Sequence, residues 1–359
     1  MRKTLYLLIA VLLALSLVGL LVACGEKEQT TTSGTGASTT QGGETKGQVL
    51  RLAVVWPVGD PVTNNIQDYV DKFNAQAGGK YTIELHPAGQ LVALPDTFDQ
   101  LRTGGVEMAG WPVAVFGSIV PEFNLAELPF SVNSIEADAA YNVEMTKIYD
   151  KVLTEKHNMK PVFNFTCQGL DIISVKPVKT LEDWDGLLCQ TISPVTAKVV
   201  ELLGGAGVAM DFSEGYQAMQ KKVIEASLQS GSMIIMFKMN EVAKYLTRAY
   251  LTPASIGVFI NLDVYNKMPD DIKQLIDKLG QVEQQAVINA NMIQLYKTNY
   301  AKMTELGMEV YPLPGAERER WAERLKPYAD ELLGKVDPAT AEQVRQITQK
   351  LDQQFPYAD

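Results

Sequence analysis

The sequence offers few side chains of the types that metal binding or acid–base catalysis requires. Its 359 residues include two histidines, His86 and His157, and three cysteines. His86 lies on the polar side of a predicted strand and His157 at the polar end of a predicted helix, so we expect both at the surface. A zinc or redox site needs closely spaced Cys and His ligands, and this spacing does not provide them. The sequence therefore predicts no metal site and no cofactor.

Motifs for nucleophilic catalysis and phosphate binding are missing as well. The glycine-rich segment GGAG at 204–207 ends a predicted helix and lacks the Lys-Ser/Thr pair of a phosphate-binding loop. No G-x-S-x-G nucleophile motif occurs in the sequence. We therefore predict that the protein is not an enzyme.

Gln190 is the polar side chain whose position raises a question of binding. It lies in the segment DWDGLLCQTISP at 183–194, which predicts a capped turn, a glycine and a short strand that runs into a helix. A long polar side chain at the end of such a strand points into a cleft or into water. An amide satisfied by the neighbouring backbone is a further alternative. The segment alone leaves these alternatives open.

The first 47 residues are predicted to lie outside the folded body that positions such a side chain. Residues 1–23 combine a positive start with an apolar run, which is typical of a secretory signal peptide; an uncleaved membrane anchor is the alternative. Cys24 directly follows Leu-Val-Ala, which resembles a bacterial lipobox, and the resemblance implies that Cys24 is lipidated. Residues 24–47 are rich in Ser, Thr and Gly and predict a flexible tether with a span of roughly 25–30 Å.

Charge and cysteine content limit the partners and the redox state. The net charge of −10 argues against a nucleic-acid partner, which requires a basic surface. Cys167 and Cys189 both lie in apolar, strand-like segments. They could pair in an extracytoplasmic compartment or remain as buried free thiols. The sequence leaves both alternatives open.

Strands and helices alternate along the rest of the chain. VLRLAVVWP at 49–57 predicts a buried strand, and Tyr81–His86 alternates apolar and polar residues as a half-buried strand does. Long helices are predicted over Ile135–Lys156 and over 269–306, the second of them ~50 Å long. This pattern predicts an α/β fold with mainly parallel sheets, and about 310 residues are enough for two lobes.

Six segments, in sequence order, carry a resemblance to a known family. They are KYTIELHPAGQL, FDQLRTGGVEMAGW, AELPF, TLEDWDGL, LLGGAGVAM and EGYQAMQKKVIEAS. Together they resemble the solute-binding proteins of tripartite ATP-independent periplasmic (TRAP) transporters, of the dicarboxylate-binding type, over residues 48–340. The resemblance implies a two-lobed periplasmic-binding-protein-like fold (type II-like), with discontinuous lobes joined by crossing strands and a long helix.

The resemblance also implies a function and a division of the chain. An extracytoplasmic, lipid-anchored protein of this kind captures a small organic solute in a cleft between its lobes and delivers it to a TRAP permease driven by an ion gradient. Lobe one is expected to hold 48–168 and 256–290, lobe two 169–255 and 291–345, and 346–359 a C-terminal tail. The alternative is a ligand-sensing module that passes its occupancy to a membrane signalling protein.

This sequence departs from the family at the residues that bind the ligand. The family strand after the D-x-x-G-L turn reads K-x-R, with an arginine that binds the ligand carboxylate, and Gln190 takes that position here. Asp171 matches the position of a second arginine, and no arginine occurs between Arg102 and Arg248. An amide binds a carboxylate more weakly than a guanidinium does. Either a lysine or backbone amides bind the carboxylate elsewhere, or the ligand is neutral or weakly acidic at that end, which we favour.

Further cleft residues are predicted from the same matched positions. Trp56 and Trp111 end strands of lobe one and would supply flat apolar walls for an aromatic or hydrophobic ligand; core packing is their alternative. The lobe-two candidates are Ser193, Phe212, Tyr216 and Gln229. Surface capping and core burial are the alternatives for the first two. Asp171 is either a solvated turn residue or a partner for a ligand cation or hydroxyl.

Overall fold

The computed structural model describes residues 47–357. The predicted signal peptide, the tether and the predicted lipidation at Cys24 lie outside these described residues. Within residues 47–357, no helix is both long enough and apolar enough to span a bilayer.

The described chain alternates strands with helices, as its sequence pattern predicts. The strands are β1 (Gln48–Val54), β2 (Tyr81–His86), β3 (Met108–Pro112), β4 (Met159–Thr166), β5 (Leu170–Ser174), β6 (Leu188–Thr191), β7 (Ala206–Ala209), β8 (Ala226–Gln229), β9 (Tyr245–Thr252), β10 (Ser255–Asn261) and β11 (Glu309–Pro312). The α-helices are α1 (Pro61–Gln76), α2 (Leu94–Thr103), α3 (Ile135–Lys156), α4 (Pro194–Leu203), α5 (Gly215–Gln220), α6 (Gly231–Met236), α7 (Leu262–Asn266), α8 (Asp270–Asp277), α9 (Gln285–Glu305), α10 (Gly315–Gly334) and α11 (Pro338–Gln354).

Capping side chains fix where two of the helices begin. Asp60 precedes α1 and accepts a hydrogen bond from the Val62 backbone N–H at 2.7 Å, while a proline occupies the first helical position. Ser193 precedes α4 and accepts a hydrogen bond from the Thr196 backbone N–H at 3.0 Å. Each cap lies in the connection that follows a strand, so these connections are held in a defined conformation.

The strands form two mixed sheets. The five-stranded sheet has the order β2-β1-β3-β10-β4, and the six-stranded sheet has the order β11-β9-β5-β8-β6-β7. Strand β10 runs antiparallel to β3 and β4, and β5 runs antiparallel to β8 and β9, whereas the other pairs are parallel. The α/β class is confirmed. The prediction of mainly parallel sheets missed one antiparallel strand in each sheet.

Both antiparallel strands arise because the chain crosses from one sheet to the other at two places. Strand β4 of the five-stranded sheet leads through residues 167–169 into β5 of the six-stranded sheet. Strand β9 leads through residues 253–254 back into β10. Parallel neighbours in one sheet need a long crossover connection, and β5 and β10 instead arrive directly from the other sheet.

One continuous helical stretch confirms the long helix predicted over 269–306. Helix α8, a π-helical segment Lys278–Gln284 and helix α9 follow one another without a break. Gly280, in the π-helical segment, lies against the carbonyl oxygen of Val162 in β4, and a Cβ at this glycine would come within 2.3 Å of that oxygen. The close approach requires glycine, so the π-helical segment packs directly on the five-stranded sheet.

The C-terminal residues fold as helices. Helix α11 is capped by Asp337 and buries Val344 and Leu351. The predicted start of a tail at residue 346 therefore falls inside a packed helix. The predicted lobe boundary at residue 290 likewise falls inside α9.

The cysteines and histidines of the described chain are not arranged as a metal site. Cys167 and Cys189 are free thiols, which confirms the unpaired alternative, and burial raises the pKa of each to about 12. His157 packs edge-on against the Phe98 ring with centroids 5.6 Å apart, and burial lowers its pKa, so it is less exposed than the sequence predicts. No group of three or more His, Cys, Asp or Glu within residues 47–357 is arranged to hold a metal ion.

Candidate ligand-binding cavity

A small cavity lies where both sheets and both crossing segments meet. Thirteen residues line it, and its volume is about 30 Å³. Typical small-molecule pockets have volumes of about 300–1,000 Å³. A solute of several non-hydrogen atoms therefore requires the walls to move apart.

Five of the lining residues lie at or just after the carboxyl ends of strands. Trp56 follows β1 and Pro112 ends β3 in the five-stranded sheet. Ile192 follows β6, Phe212 follows β7 and Gln229 ends β8 in the six-stranded sheet. In open α/β sheets, ligands bind outside the carboxyl ends of the strands. Strands of both sheets therefore end at the same cavity.

The two crossing segments supply a further part of the wall. Cys167 lies in the first crossing and Ala254 in the second, and Leu170, Ser255 and Ile256 begin the strands that follow them. Hinge motions concentrate in the few residues that connect two bodies. A change in the angle between the sheets would therefore move residues of the cavity wall.

Most of the wall is apolar. Trp56 is 3% exposed, Met233 is buried on α6, and Phe212 is half-buried in the connection after β7. Sites for small molecules combine predominantly apolar walls with a few placed polar groups. Trp56 and Phe212, both predicted from the sequence, lie in this wall.

The ionisable carboxyl of the wall belongs to Glu127. It ends a 3₁₀ helix, Pro121–Glu127, is 4% exposed and accepts a hydrogen bond from the Ser193 hydroxyl. Burial raises the pKa of Glu127 to about 7, and the Ser193 hydrogen bond opposes this effect. No Lys, Arg or His is among the thirteen residues that line the cavity. The wall therefore provides a carboxyl and no cationic side chain to balance its negative charge when it ionises.

Gln190 lies behind the cavity wall. It is 1% exposed, and its amide nitrogen donates to the Asp211 carbonyl at 2.7 Å. Its amide oxygen accepts from the Ser227 hydroxyl at 2.9 Å and from the Gln229 amide at 3.4 Å. Gly215 packs so closely that a Cβ there would come within 2.3 Å of this oxygen. Gln190 thus supports Gln229, which lines the cavity, and a direct ligand contact by Gln190 stays a prediction.

Ser193 reaches the cavity through Glu127. Its hydroxyl donates to the Glu127 carboxylate and accepts the Thr196 backbone N–H at 3.0 Å. Glu127 lies in the connection after β3 and Ser193 in the connection after β6. This hydrogen bond therefore joins the loops of the two sheets beside the cavity.

Trp111 lies in the core. It is 0% exposed, and its ring stacks on Phe259 with centroids 4.4 Å apart and meets Phe116 edge-on at 5.4 Å. Its neighbour Pro112 lines the cavity instead, because successive residues of a strand point to opposite sides of the sheet. The core-packing alternative therefore describes Trp111 in this structure.

Asp171 and Tyr216 lie away from the cavity wall. Asp171 is 1% exposed and is not a solvated turn residue: it accepts two backbone N–H hydrogen bonds from β9, each at 3.0 Å, and one from the Tyr300 hydroxyl. Burial raises its pKa. The Tyr216 hydroxyl donates to Glu241 at 3.0 Å, and Tyr216 lines a separate surface pocket.

The sequence reasoning missed Glu127, Met233 and the crossing segments as cavity residues. Glu127 lies in the family segment AELPF, but an acidic residue beside an apolar run gives no signal that its carboxyl is buried. The lobe boundaries that the resemblance implies, 168/169 and 255/256, fall at or beside the two crossings, but periodicity does not show that crossing residues line a cavity, because two strands in succession look alike in sequence whether they pair with each other or enter different sheets.

Comparison with known protein families identifies one that matches. The sequence model of bacterial extracellular solute-binding protein, family 7 (DctP), matches residues 52–335. The C4-dicarboxylate-binding periplasmic protein DctP of Rhodobacter capsulatus is 27% identical over 276 residues, which are 75% of this chain and 82% of that protein. The C4-dicarboxylate-binding protein DctB of Bacillus subtilis is 23% identical over 275 residues, 72% of this chain and 75% of that protein.

Solved structures share the fold. DctP7, a Bordetella pertussis extracytoplasmic solute receptor binding pyroglutamic acid, has a TM-score of 0.79 at 19% identity and covers 84% of this chain and 99% of its own. A TRAP periplasmic solute-binding protein from Rhodoferax ferrireducens with bound malonate has a TM-score of 0.75 at 21% identity, with coverages of 86% and 100%. The likeness confirms the two-lobed periplasmic-binding-protein-like fold.

Proposed function

The chain belongs to the bacterial extracellular solute-binding proteins of family 7, and we propose that it is the solute receptor of a TRAP-type transporter. In this proposal it captures a small organic solute outside the cytoplasm and delivers it to a membrane permease driven by an ion gradient. The observation that carries the proposal is the cavity, because strand ends of both sheets and both crossing segments converge there.

The proposed division into lobes follows the sheets. Lobe one comprises 48–168 with 256–290 and lobe two comprises 169–255 with 291–345. The strands of the five-stranded sheet lie in the first set and those of the six-stranded sheet lie in the second, apart from Ser255 at the start of β10. A solute between the lobes then favours the closed arrangement by contacting both.

We expect the ligand to be less acidic than the ligands that are named for the relatives. The names of the relatives cite C4-dicarboxylates, pyroglutamic acid and malonate. The cavity wall of this chain offers Trp56 and Phe212 and no Lys, Arg or His. An ionised carboxylate without a cation costs several kcal/mol to bury. A weakly acidic, neutral or aromatic solute avoids this cost.

The proposed location of the protein is extracytoplasmic, in the periplasm or at the outer face of the cell membrane, with a lipid anchor. The family is extracellular by its description. The lipobox-like sequence at Cys24 supports a lipid anchor, and the Ser/Thr/Gly-rich residues 24–47 support a tether between anchor and body.

A thermal-shift screen tests the receptor function. The processed protein is heated with organic acids, aromatic compounds, sugars and amines, and a true ligand at 100 times its Kd adds about 2.7 kcal/mol of stability. Small-angle X-ray scattering then compares the protein with and without that solute. A smaller radius of gyration is expected on binding, and an unchanged radius contradicts closure of the lobes.

A further inference from the structure

The cavity presents hydrogen-bond acceptors where the family presents a cation. Glu127 supplies a buried carboxyl at the wall, and within the described chain it accepts a hydrogen bond from the Ser193 hydroxyl. That hydroxyl engages one carboxylate oxygen, Oε2. The other oxygen, Oε1, remains available to a ligand.

A second acceptor is Gln229, whose orientation is fixed by its neighbours. Gln190 donates its amide N–H to the Asp211 carbonyl and accepts the Ser227 hydroxyl, so its oxygen faces Gln229. Gln229 must therefore turn its nitrogen toward Gln190, at 3.4 Å. The Gln229 oxygen is buried and has no hydrogen-bond partner within the described part of the chain. An unpaired buried acceptor in a cavity wall calls for a donor from the ligand.

The remaining polar groups of the wall do not reverse the preference for a ligand that donates hydrogen bonds. The Ser255 hydroxyl is buried without a partner among the described residues and can donate or accept. The Ser230 hydroxyl is likewise buried without a partner among the described residues and can donate or accept, and its neighbour, the Cys167 thiol, is neutral at physiological pH because burial raises its pKa to about 12. A ligand carboxylate would face the Glu127 carboxyl with no wall cation, whereas a protonated nitrogen would meet two acceptors.

Resting on the proposed receptor function, we propose that the ligand carries a protonated nitrogen that pairs with Glu127 and donates to Gln229, making Glu127 the residue that determines specificity. The rest of the ligand is apolar or flat and packs between Trp56 and Phe212. Aromatic faces also attract cations. Gln190 acts as a positioning residue, because its fixed amide turns the Gln229 oxygen toward the ligand.

Binding of such a cation is coupled to the ionisation of Glu127. Because burial raises the pKa of Glu127 to about 7, the group is largely protonated at pH 5.5 and must lose its proton to pair with a cation. Affinity for the cation is therefore expected to rise about tenfold or more from pH 5.5 to 8. Tyr328 of α10 and Cys167 lie near this carboxyl, and the pKa of each is raised to about 12, so neither changes charge in this range. Asp138 accepts the backbone N–H of the wall residue Ala254 at 3.5 Å, and because burial raises its pKa to about 7 it titrates in this range whether or not Glu127 is present.

The test uses pairs of compounds that differ only at the charged end. Phenethylammonium is compared with 3-phenylpropionate, and benzamidinium with benzoate, by calorimetric titration of the processed protein at pH 5.5 and 8. The cation of a pair is expected to bind at least tenfold more tightly at pH 8. Glu127→Gln is expected to weaken cation binding at pH 8 at least tenfold and to reduce its pH dependence, with the remainder due to Asp138. Glu122→Gln, on the same 3₁₀ helix but outside the cavity wall, is the matched control.

The outcomes separate this inference from the receptor function. If carboxylates bind and their cationic partners do not, or if Glu127→Gln binds the cation as tightly as the wild type does, the inference is wrong and the receptor function stands. If no compound in these pairs or in the wider solute screen binds, the receptor function itself is contradicted.

Discussion

Replacing Glu127 by Gln is expected to stabilise the ligand-free protein by about 3 kcal/mol at pH 8 and by less than about 1 kcal/mol at pH 5. Gln keeps the shape of the side chain and an oxygen that accepts the Ser193 hydrogen bond. At pH 5 a neutral carboxylic acid is therefore replaced by a neutral amide. At pH 8 the wild type holds a buried carboxylate with no Lys, Arg or His in the cavity wall, and the variant does not.

The expected size of the effect follows from the pKa of Glu127. The folded protein holds this proton up to about pH 7, whereas the unfolded chain loses it near pH 4.5. The folded-state pKa is raised, so the free energy of unfolding of the wild type falls as the pH rises from 4.5 to 7 and stays low above 7. The interval between the two pKa values corresponds to a loss of about 3 kcal/mol in the free energy of unfolding. Glu127→Gln removes this loss.

A second buried carboxyl makes the free energy of unfolding depend on pH in both proteins. Its effect cancels when the wild type and Glu127→Gln are compared. Asp138 is 0% exposed, and burial raises its pKa to about 7, although it accepts hydrogen bonds from Thr166 and Tyr250 at 2.8 and 2.9 Å. Its ionisation also lowers stability between pH 4 and 7. Because Asp138 is unchanged by the substitution, the difference between the two proteins isolates Glu127.

Urea unfolding at pH 5, 6, 7 and 8, followed by tryptophan fluorescence, measures the effect. The advantage of Glu127→Gln over the wild type in free energy of unfolding is expected to grow by about 2.5 kcal/mol from pH 5 to pH 8, with most of the increase below pH 7. Glu122→Gln controls for loss of a carboxylate on the same helix. Parallel curves for the wild type and Glu127→Gln at all four pH values would refute the reasoning, because Glu127 would then be ionised at the same pH in both states.

Three further substitutions test other parts of the account. Gln190→Leu is expected to lower the free energy of unfolding by about 2–4 kcal/mol, because buried protein groups lose their partners; a wild-type urea midpoint would contradict the amide network. Gly280→Ala is expected to cost about 1–3 kcal/mol in the same assay, because a Cβ meets the Val162 carbonyl, and an unchanged midpoint would argue against that contact. Cys24→Ala is expected to release the protein from membranes or block its processing, and the absence of labelled fatty acid on wild-type protein would count against the lipid anchor.

The parts of the fold that the sequence predicts are those with a strong local pattern. The alternation of Tyr81–His86 and the uninterrupted helical pattern over 269–306 correspond to β2 and to the stretch from α8 to α9. The antiparallel direction of β5 and β10 was not predicted. Their direction depends on which sheet the preceding strand belongs to, and this is a long-range property that no local periodicity records.

Cavity residues that follow a recognisable strand end were predicted from the sequence. Cavity residues whose role depends on burial by distant parts of the chain were missed. Trp56 and Phe212 follow strand ends and line the cavity, whereas Trp111 is one residue out of phase and lies in the core. Gln190 was placed by its position in the family pattern, but its hydrogen bonds depend on segments 21 to 39 residues away. Glu127 was missed because the apolar surroundings that bury its carboxyl come from distant parts of the chain.

Calorimetric titration of the most stabilising solute from the screen tests the central claim that a solute binds in this cavity. The titration compares the wild type with Phe212→Ala and with Tyr216→Phe, which changes a tyrosine outside the cavity wall. Phe212 is half-buried, so its loss is expected to spare the fold while removing about 1–3 kcal/mol of apolar contact with the solute. Phe212→Ala is expected to weaken binding about fivefold or more, and Tyr216→Phe is expected to bind as the wild type does. Equal affinities for all three proteins would show that the solute binds elsewhere and would contradict the account.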